Sequence, residues 1–177
     1  MKRFIKSCVT ISALSSLLIA PVVLSAGQAS AQPKKGFDGN YVGGGLSGQV
    51  TNGGQQNDAA NLGGNIQGRV KIKNTPISAR TKVLWNNDAT AINPEISADL
   101  GINKSTNLYG AVGYSFIEQD GQSSPLGNKD SVTASIGVES QVKKGIVVYS
   151  NATVSLDGFD NSKTLPVNVG GGVGFNF

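Results

Sequence analysis

Histidine is absent from the 177-residue chain, and cysteine occurs once, at Cys8. Without an imidazole there is no Ser/His/Asp triad, no Cys/His dyad and no zinc site of the usual His-containing kinds. A lone cysteine near the start of the chain provides no disulfide framework, even in an oxidising compartment. Charge is scarce, at 15% of residues. Lys2, Arg3 and Lys6 are three of the fifteen basic residues and fall in an N-terminal segment with the features of a leader, so the remaining basic residues nearly balance the eleven acids. The formal charge of +4 is therefore no argument for nucleic acid as a partner. Nowhere does an amphipathic helical period appear, and the length suits one domain.

The N-terminus has its own organisation. Lys2-Arg3-Phe4-Ile5-Lys6 precedes an apolar stretch from about Cys8 to Leu24, and Ala29-Ser30-Ala31 then makes a small-x-small cleavage site before Gln32. This layout predicts a secretory signal peptide over residues 1–31 and a mature domain over 32–177. The competing arrangement is an uncleaved anchor helix, against which Pro21 and the serines within the stretch argue. Cys8 lies too early to be a lipid-modified residue at a cleavage site, which leaves the mature chain without cysteine.

Gln32 to Asn40 reads as a polar N-terminal tail, after which apolar residues alternate with small polar ones almost to the end. The clearest run is Leu62 to Ile72: Leu62, Ile66, Val70 and Ile72 share one face with glycines, and Asn65, Gln67, Arg69 and Lys71 share the other. Eight such runs follow one another: Tyr41 to Val50, Leu62 to Ile72, Ile77 to Trp85, Ile92 to Ile102, Leu108 to Phe116, Ser131 to Val142, Ile146 to Leu156 and Leu165 to Phe177. Their connections alternate between tight (Lys73 to Pro76, Asn103 to Asn107, Lys143 to Gly145) and longer, polar ones (Thr51 to Asn61, Ile117 to Asp130, Asp157 to Thr164), with Asn86 to Ala91 the shortest of the long set. An all-β, eight-stranded antiparallel up-and-down transmembrane β-barrel is expected, with short periplasmic turns, longer external loops and both termini in the periplasm.

A soluble barrel also alternates, so the contents of the faces must discriminate. No position of apolar parity in the eight runs is Lys, Arg, Asp or Glu, as a lipid-facing surface requires, because a charge near the bilayer midplane costs about 2–4 kcal/mol. The other face is Gly, Ser, Thr, Ala, Asn and Gln, poor in the Lys and Glu of a soluble exterior and suited to a narrow interior. Trp85, Tyr114 and Phe116 fall at the external ends of their runs and Phe175 and Phe177 at the periplasmic end, where aromatic girdles belong.

The opening Tyr41-Val42-Gly43-Gly44-Gly45-Leu46, the eight runs and the closing Gly172-Val173-Gly174-Phe175-Asn176-Phe177 resemble the small outer-membrane β-barrel family that includes the OmpA transmembrane domain, OmpX and OmpW. The resemblance implies outer-membrane lipids and the barrel-assembly machinery as partners, with Phe175 and Phe177 forming the assembly signal. It departs from some relatives in its shorter loops, and no peptidoglycan-binding domain is expected after the barrel.

The candidate chemistry is sparse. Gly43-Gly44-Gly45-Leu46-Ser47-Gly48 satisfies G-x-G-x-x-G formally but has no helix after it, so no dinucleotide or other cofactor is expected. Asp157, Asp160 and Asn161, like Glu118 and Asp120, lack a recognised calcium-loop spacing and read as solvated carboxylates and amides rather than a metal site. Charges inside the strands are confined to Arg69, Lys71, Arg80, Lys82, Glu95, Asp99 and Glu139, all of interior parity. Counted from the turns, Arg69, Arg80, Asp99 and Glu139 share one depth, and Arg69 falls opposite Arg80, so the two guanidinium groups need acidic partners that Asp99 and Glu139 can supply. The expectation is a monomeric, non-enzymatic membrane protein with an ionically plugged lumen. Two alternatives stay open: a narrow pore for ions or small solutes, and a loop-borne binding or adhesion protein, for which Phe159 is the one suitable ring in the long loops.

Overall fold

Period-two alternation gives eight strands because each places its apolar residues on one side and its small polar residues on the other. The computed structural model describes residues 36–51, 62–118, 121–160 and 162–177. The strands are β1 (Tyr41–Gln49), β2 (Leu62–Lys71), β3 (Ile77–Trp85), β4 (Thr90–Asn103), β5 (Thr106–Ile117), β6 (Ser131–Lys143), β7 (Ile146–Ser155) and β8 (Val167–Asn176). Each pairs antiparallel with its neighbour in sequence, and β1 closes on β8, from Tyr41 opposite Asn176 to Gln49 opposite Asn168. Closure leaves no unpaired edge. The last strand starts at Val167 rather than Leu165, because Pro166 has no N–H for the ladder; its carbonyl accepts from the Ser155 N–H at 2.9 Å. The leader region, Lys34, Lys35, residues 52–61, Asp120 and Asn161 lie outside the described residues.

Both ends of the described chain and three tight turns share one end of the barrel. Asn74 takes a left-handed conformation (φ 63°) in the β2–β3 turn, as Gly145 does (φ 86°) between β6 and β7. Register shifts at Gly101/Asn103 and Gln141/Lys143, both beside these turns, add a residue and tighten the local twist. The loop end includes Asn86 to Ala89, where the Asn86 carboxamide oxygen accepts from the N–H groups of Asp88 and Ala89 at 2.9 Å.

The faces are inverted relative to a soluble protein. Leu46, Val112 and Phe175 are about two-thirds exposed (66, 65 and 67%), while Gln67, Asn93 and Thr133 are fully buried inside. An apolar band that runs round the whole barrel far exceeds what a soluble monomer exposes. This excludes the soluble barrel.

Inside, glycines make room for tyrosines. Tyr109 pairs directly with Gly137, and Tyr149 with Gly172. A Cβ on Gly137 would come within 2.4 Å of the Tyr109 ring, and one on Gly172 within 2.6 Å of the Tyr149 hydroxyl. We expect Gly137→Ala to destabilise the barrel by about 1–3 kcal/mol through overpacking. Gly110→Ala, where nothing lies within 4 Å of the added carbon, should be near neutral. Urea unfolding in lipid vesicles compares the two directly.

Candidate functional site: an ion-paired lumen closed at both ends

Strand alternation aims Arg69 of β2 and Arg80 of β3 inward, and the register sets them directly opposite each other. Two adjacent cations in a low-dielectric interior are tenable only with acids beside them. Asp99 of β4 and Glu139 of β6 both reach them. Arg69 Nη2 lies 2.8 Å from Asp99 Oδ2, and its Nε lies 3.3 Å from Glu139 Oε1. Arg80 Nη2 lies 3.0 Å from Asp99 Oδ1, and its Nη1 lies 2.9 Å from Glu139 Oε2. Each arginine thus bridges both acids in a closed ring, with all four side chains at most 2% exposed. Ser78 donates to Asp99, Ser97 donates to it at 2.8 Å, and the Asn107 amide donates to Glu139 at 2.9 Å. The Arg80 guanidinium also lies 3.6 Å from the centre of the Tyr109 ring, a cation–π contact.

A second layer lies toward the loops. Lys82 of β3 pairs with Glu95 of β4 at 3.0 Å and donates to Ser135 and Thr153 across the lumen at 2.9 and 2.7 Å. Three cations and three carboxylates therefore balance inside the barrel. Lys71 does not join them: it is half-buried at the turn end and makes no ion pair among the described residues, because it sits beyond the ring at the mouth, where its backbone N–H meets the Asn40 side chain.

The supposed N-terminal tail is structural where it is described. Phe37 turns back into the mouth at the turn end and is 4% exposed, packed near Tyr41 and 5.3 Å below the Arg69 guanidinium. Its carbonyl accepts from the Asn107 amide at 2.7 Å, and the Gly39 carbonyl accepts from Arg69 at 2.8 Å. Composition hid this: one ring in a polar stretch has no periodic partner. The signal available was the flanking pair Gly36 and Gly39, where a Cβ would strike the Asn107 side chain or the Phe37 ring.

The other mouth is covered by its loops. Leu126, in the segment between β5 and β6, is fully buried against Leu84, Ala91 and Ile117. Gly127 adopts φ 116° beneath Gly158, whose carbonyl would lie 2.1 Å from an added Cβ. That carbonyl accepts from the Asn128 N–H at 2.8 Å, and the Asn86 amide donates to the Ser123 carbonyl at 2.8 Å, so three loops are stitched together. Phe159 is 3% exposed, buried under the same cover and unable to serve as a protruding contact. Asp157 and Asp160 face Lys129 at 3.0 and 3.8 Å, which supplies the positive charge a divalent cation would bring. Among the described residues, no group of three or more potential metal ligands forms. The G-x-G-x-x-G segment lies within β1 and packs against the glycines of β8 rather than opening a helix.

The outward aromatics occupy both rims. Trp85 lies over Gly64 directly across the β2–β3 pair, and Tyr114 and Phe116 stand 5.0 Å apart between ring centres near the loop end. Phe175 and Phe177 are exposed at the turn end.

The fold agrees with what known proteins show. The chain spans 80% of its length in matching the whole of Ail, the attachment invasion locus protein of Yersinia pestis, at 16% identity and a TM-score of 0.57. A further Ail structure, in complex with the heparin analogue sucrose octasulfate, gives 0.51 at 16% identity, over 78% of this chain and 97% of that one. Neisserial surface protein A matches at 13% identity and 0.51, over 78% of this chain and 97% of that one. No curated protein matches the sequence. The model of the outer membrane protein β-barrel domain matches residues 18–177, and the chain belongs to that outer-membrane β-barrel family.

Proposed function

We propose that the chain is a structural outer-membrane barrel whose lumen is shut, without catalytic activity. The observation that carries this reading is closure in series: Phe37 at one mouth, two ion-paired layers across the middle, and Leu126 under stitched loops at the other mouth. The leader of residues 1–31 directs export through the Sec route, residues 32–177 are the mature monomer, and both termini face the periplasm. Phe175 and Phe177 present the terminal signal to the barrel-assembly machinery. Trp85, Tyr114 and Phe116 hold the opposite rim at the headgroups, as aromatic girdles do.

One observation favours a second reading, a narrow ion path. Toward the loop end, Gln49, Ser115, Ser155 and Asn168 carry buried polar atoms with no hydrogen-bond partner among the described residues, and such groups ordinarily bind water. Adhesion has less support. Ail is known in complex with a sulfated sugar, but the described loops here are rich in carboxylates and bury Phe159.

The test is single-channel recording of residues 32–177 refolded into a planar lipid bilayer, with empty detergent as control. Folded protein should give no discrete current steps. Steps of reproducible size would overturn the closed barrel and make the charged ring a gate.

A further inference from the structure

Charge outside the lumen is segregated by end. Lys73, Lys104 and Lys144 occupy the three tight turns and Lys143 ends β6 beside one of them, all exposed, and Lys71 stands half-buried at the same end. Among the described residues, none of these five makes an ion pair. Among the described residues, Asp38 is the one acidic side chain at this end outside the ion-paired lumen. At the loop end the sign reverses: Asp88, Glu118, Asp130, Asp157 and Asp160 stand against Lys129 and Lys163, and Lys129 is already held by two of the aspartates.

Position gives the lysines a target. Lys73 follows outward Ile72, Lys104 comes two residues after outward Ile102, and Lys143 follows outward Val142. Each stands where the apolar band stops, so a lysine stem can lie along apolar surface with its ammonium at phosphate level. Because turns join alternate strand pairs, these sites recur around the rim. The remaining interval, where β8 meets β1, carries exposed Phe175 and Phe177.

We propose that the turn end is an electrostatic collar for anionic phospholipid headgroups of the periplasmic leaflet. Unpaired lysines beside an apolar belt attract surface phosphate additively. The carboxylate-rich loop end repels the same chemistry, so the barrel has a preferred polarity in an asymmetric bilayer. The choice of leaflet rests on the reading that the turns are periplasmic; the lipid preference itself does not.

Mature protein should be refolded into phosphatidylcholine vesicles containing one-fifth phosphatidylglycerol, extracted gently, and the retained lipid quantified by mass spectrometry. The ratio of phosphatidylglycerol to phosphatidylcholine in the retained lipid should exceed that of the bulk by at least roughly fivefold, what one such lysine contact supplies. The enrichment should fall with added salt and disappear when Lys73, Lys104, Lys143 and Lys144 are all changed to Gln. Lys129→Gln with Lys163→Gln should retain it. Folding of each variant is checked by its electrophoretic shift on heating. Absent enrichment, or enrichment that survives the fourfold change, overturns the collar. So does selective sedimentation of the wild type with isolated peptidoglycan when lipid shows no preference. Labelling of Lys73→Cys by an impermeant reagent on intact cells would instead overturn the orientation and with it the leaflet.

Discussion

Glu139→Ala should lower the unfolding free energy of the barrel by about 3–5 kcal/mol, the cost of stripping one partner from a buried charge cluster. Glu139 is fully buried and holds Arg80, Arg69 and the Asn107 amide at 2.9, 3.3 and 2.9 Å. Its loss leaves two adjacent guanidinium groups to share Asp99. Glu139→Gln keeps an acceptor without the charge and should fall between. Asp157→Ala removes the partner of an exposed pair, at 81% side-chain exposure, and should cost no more than about 1 kcal/mol. Urea titration in lipid vesicles reads all three through Trp85, the single tryptophan. Equal effects of Glu139→Ala and Asp157→Ala would mean that the ring does not sustain the fold. A double-mutant cycle with Arg80→Ala should show coupling, because removing both members leaves less unpaired charge than removing either alone.

Val112→Arg should cost about 2–4 kcal/mol, whereas Val142→Arg should cost no more than about 1. Both residues face outward, at 65 and 60% exposure, and differ in depth. Val112 lies mid-strand between Ile96 and Ala134, while Val142 sits one residue from the end of β6. Around a soluble barrel both arginines would be solvated and the costs equal. In hydrocarbon the midplane substitution must drag its charge to the interface. The difference in urea midpoints after folding into vesicles measures where the slab lies.

These contrasts depend on features that differ in how far local sequence carries them. Outward and inward parity was legible because alternation is a property of neighbours: Leu62, Ile66 and Val70 need no distant residue to declare their face. The pairing of Arg69 with Arg80 was legible for a related reason, since a tight turn sets the register of a hairpin. Counting from the turns also put Asp99 and Glu139 at the depth of the arginines, although β6 lies three strands from β3 around the barrel. Phe37, Leu126 and Phe159 were not legible. Each is an apolar residue in a polar connection, and for two of them the contact comes from another strand: Phe37 lies under Arg69, and Leu126 meets Leu84 and Ala91. Nor does spacing explain why glycines stand at positions 137 and 172. The cross-strand neighbours do: Tyr109 beside Gly137, and Tyr149 together with the Gly44 carbonyl beside Gly172.

Closure of β1 on β8 bears on the order of assembly. Tyr41 finds one strand partner at Arg69, within the next hairpin, but the other at Asn176, next to the end of the chain. Until β8 emerges, β1 and β7 each keep a row of bare backbone donors and acceptors, and hydrocarbon offers neither a substitute. A seven-stranded nascent sheet therefore has no resting place inside a bilayer. The sheet must wait outside, sheltered, or enter with its two flanks held by something else until the first-made strand meets the last.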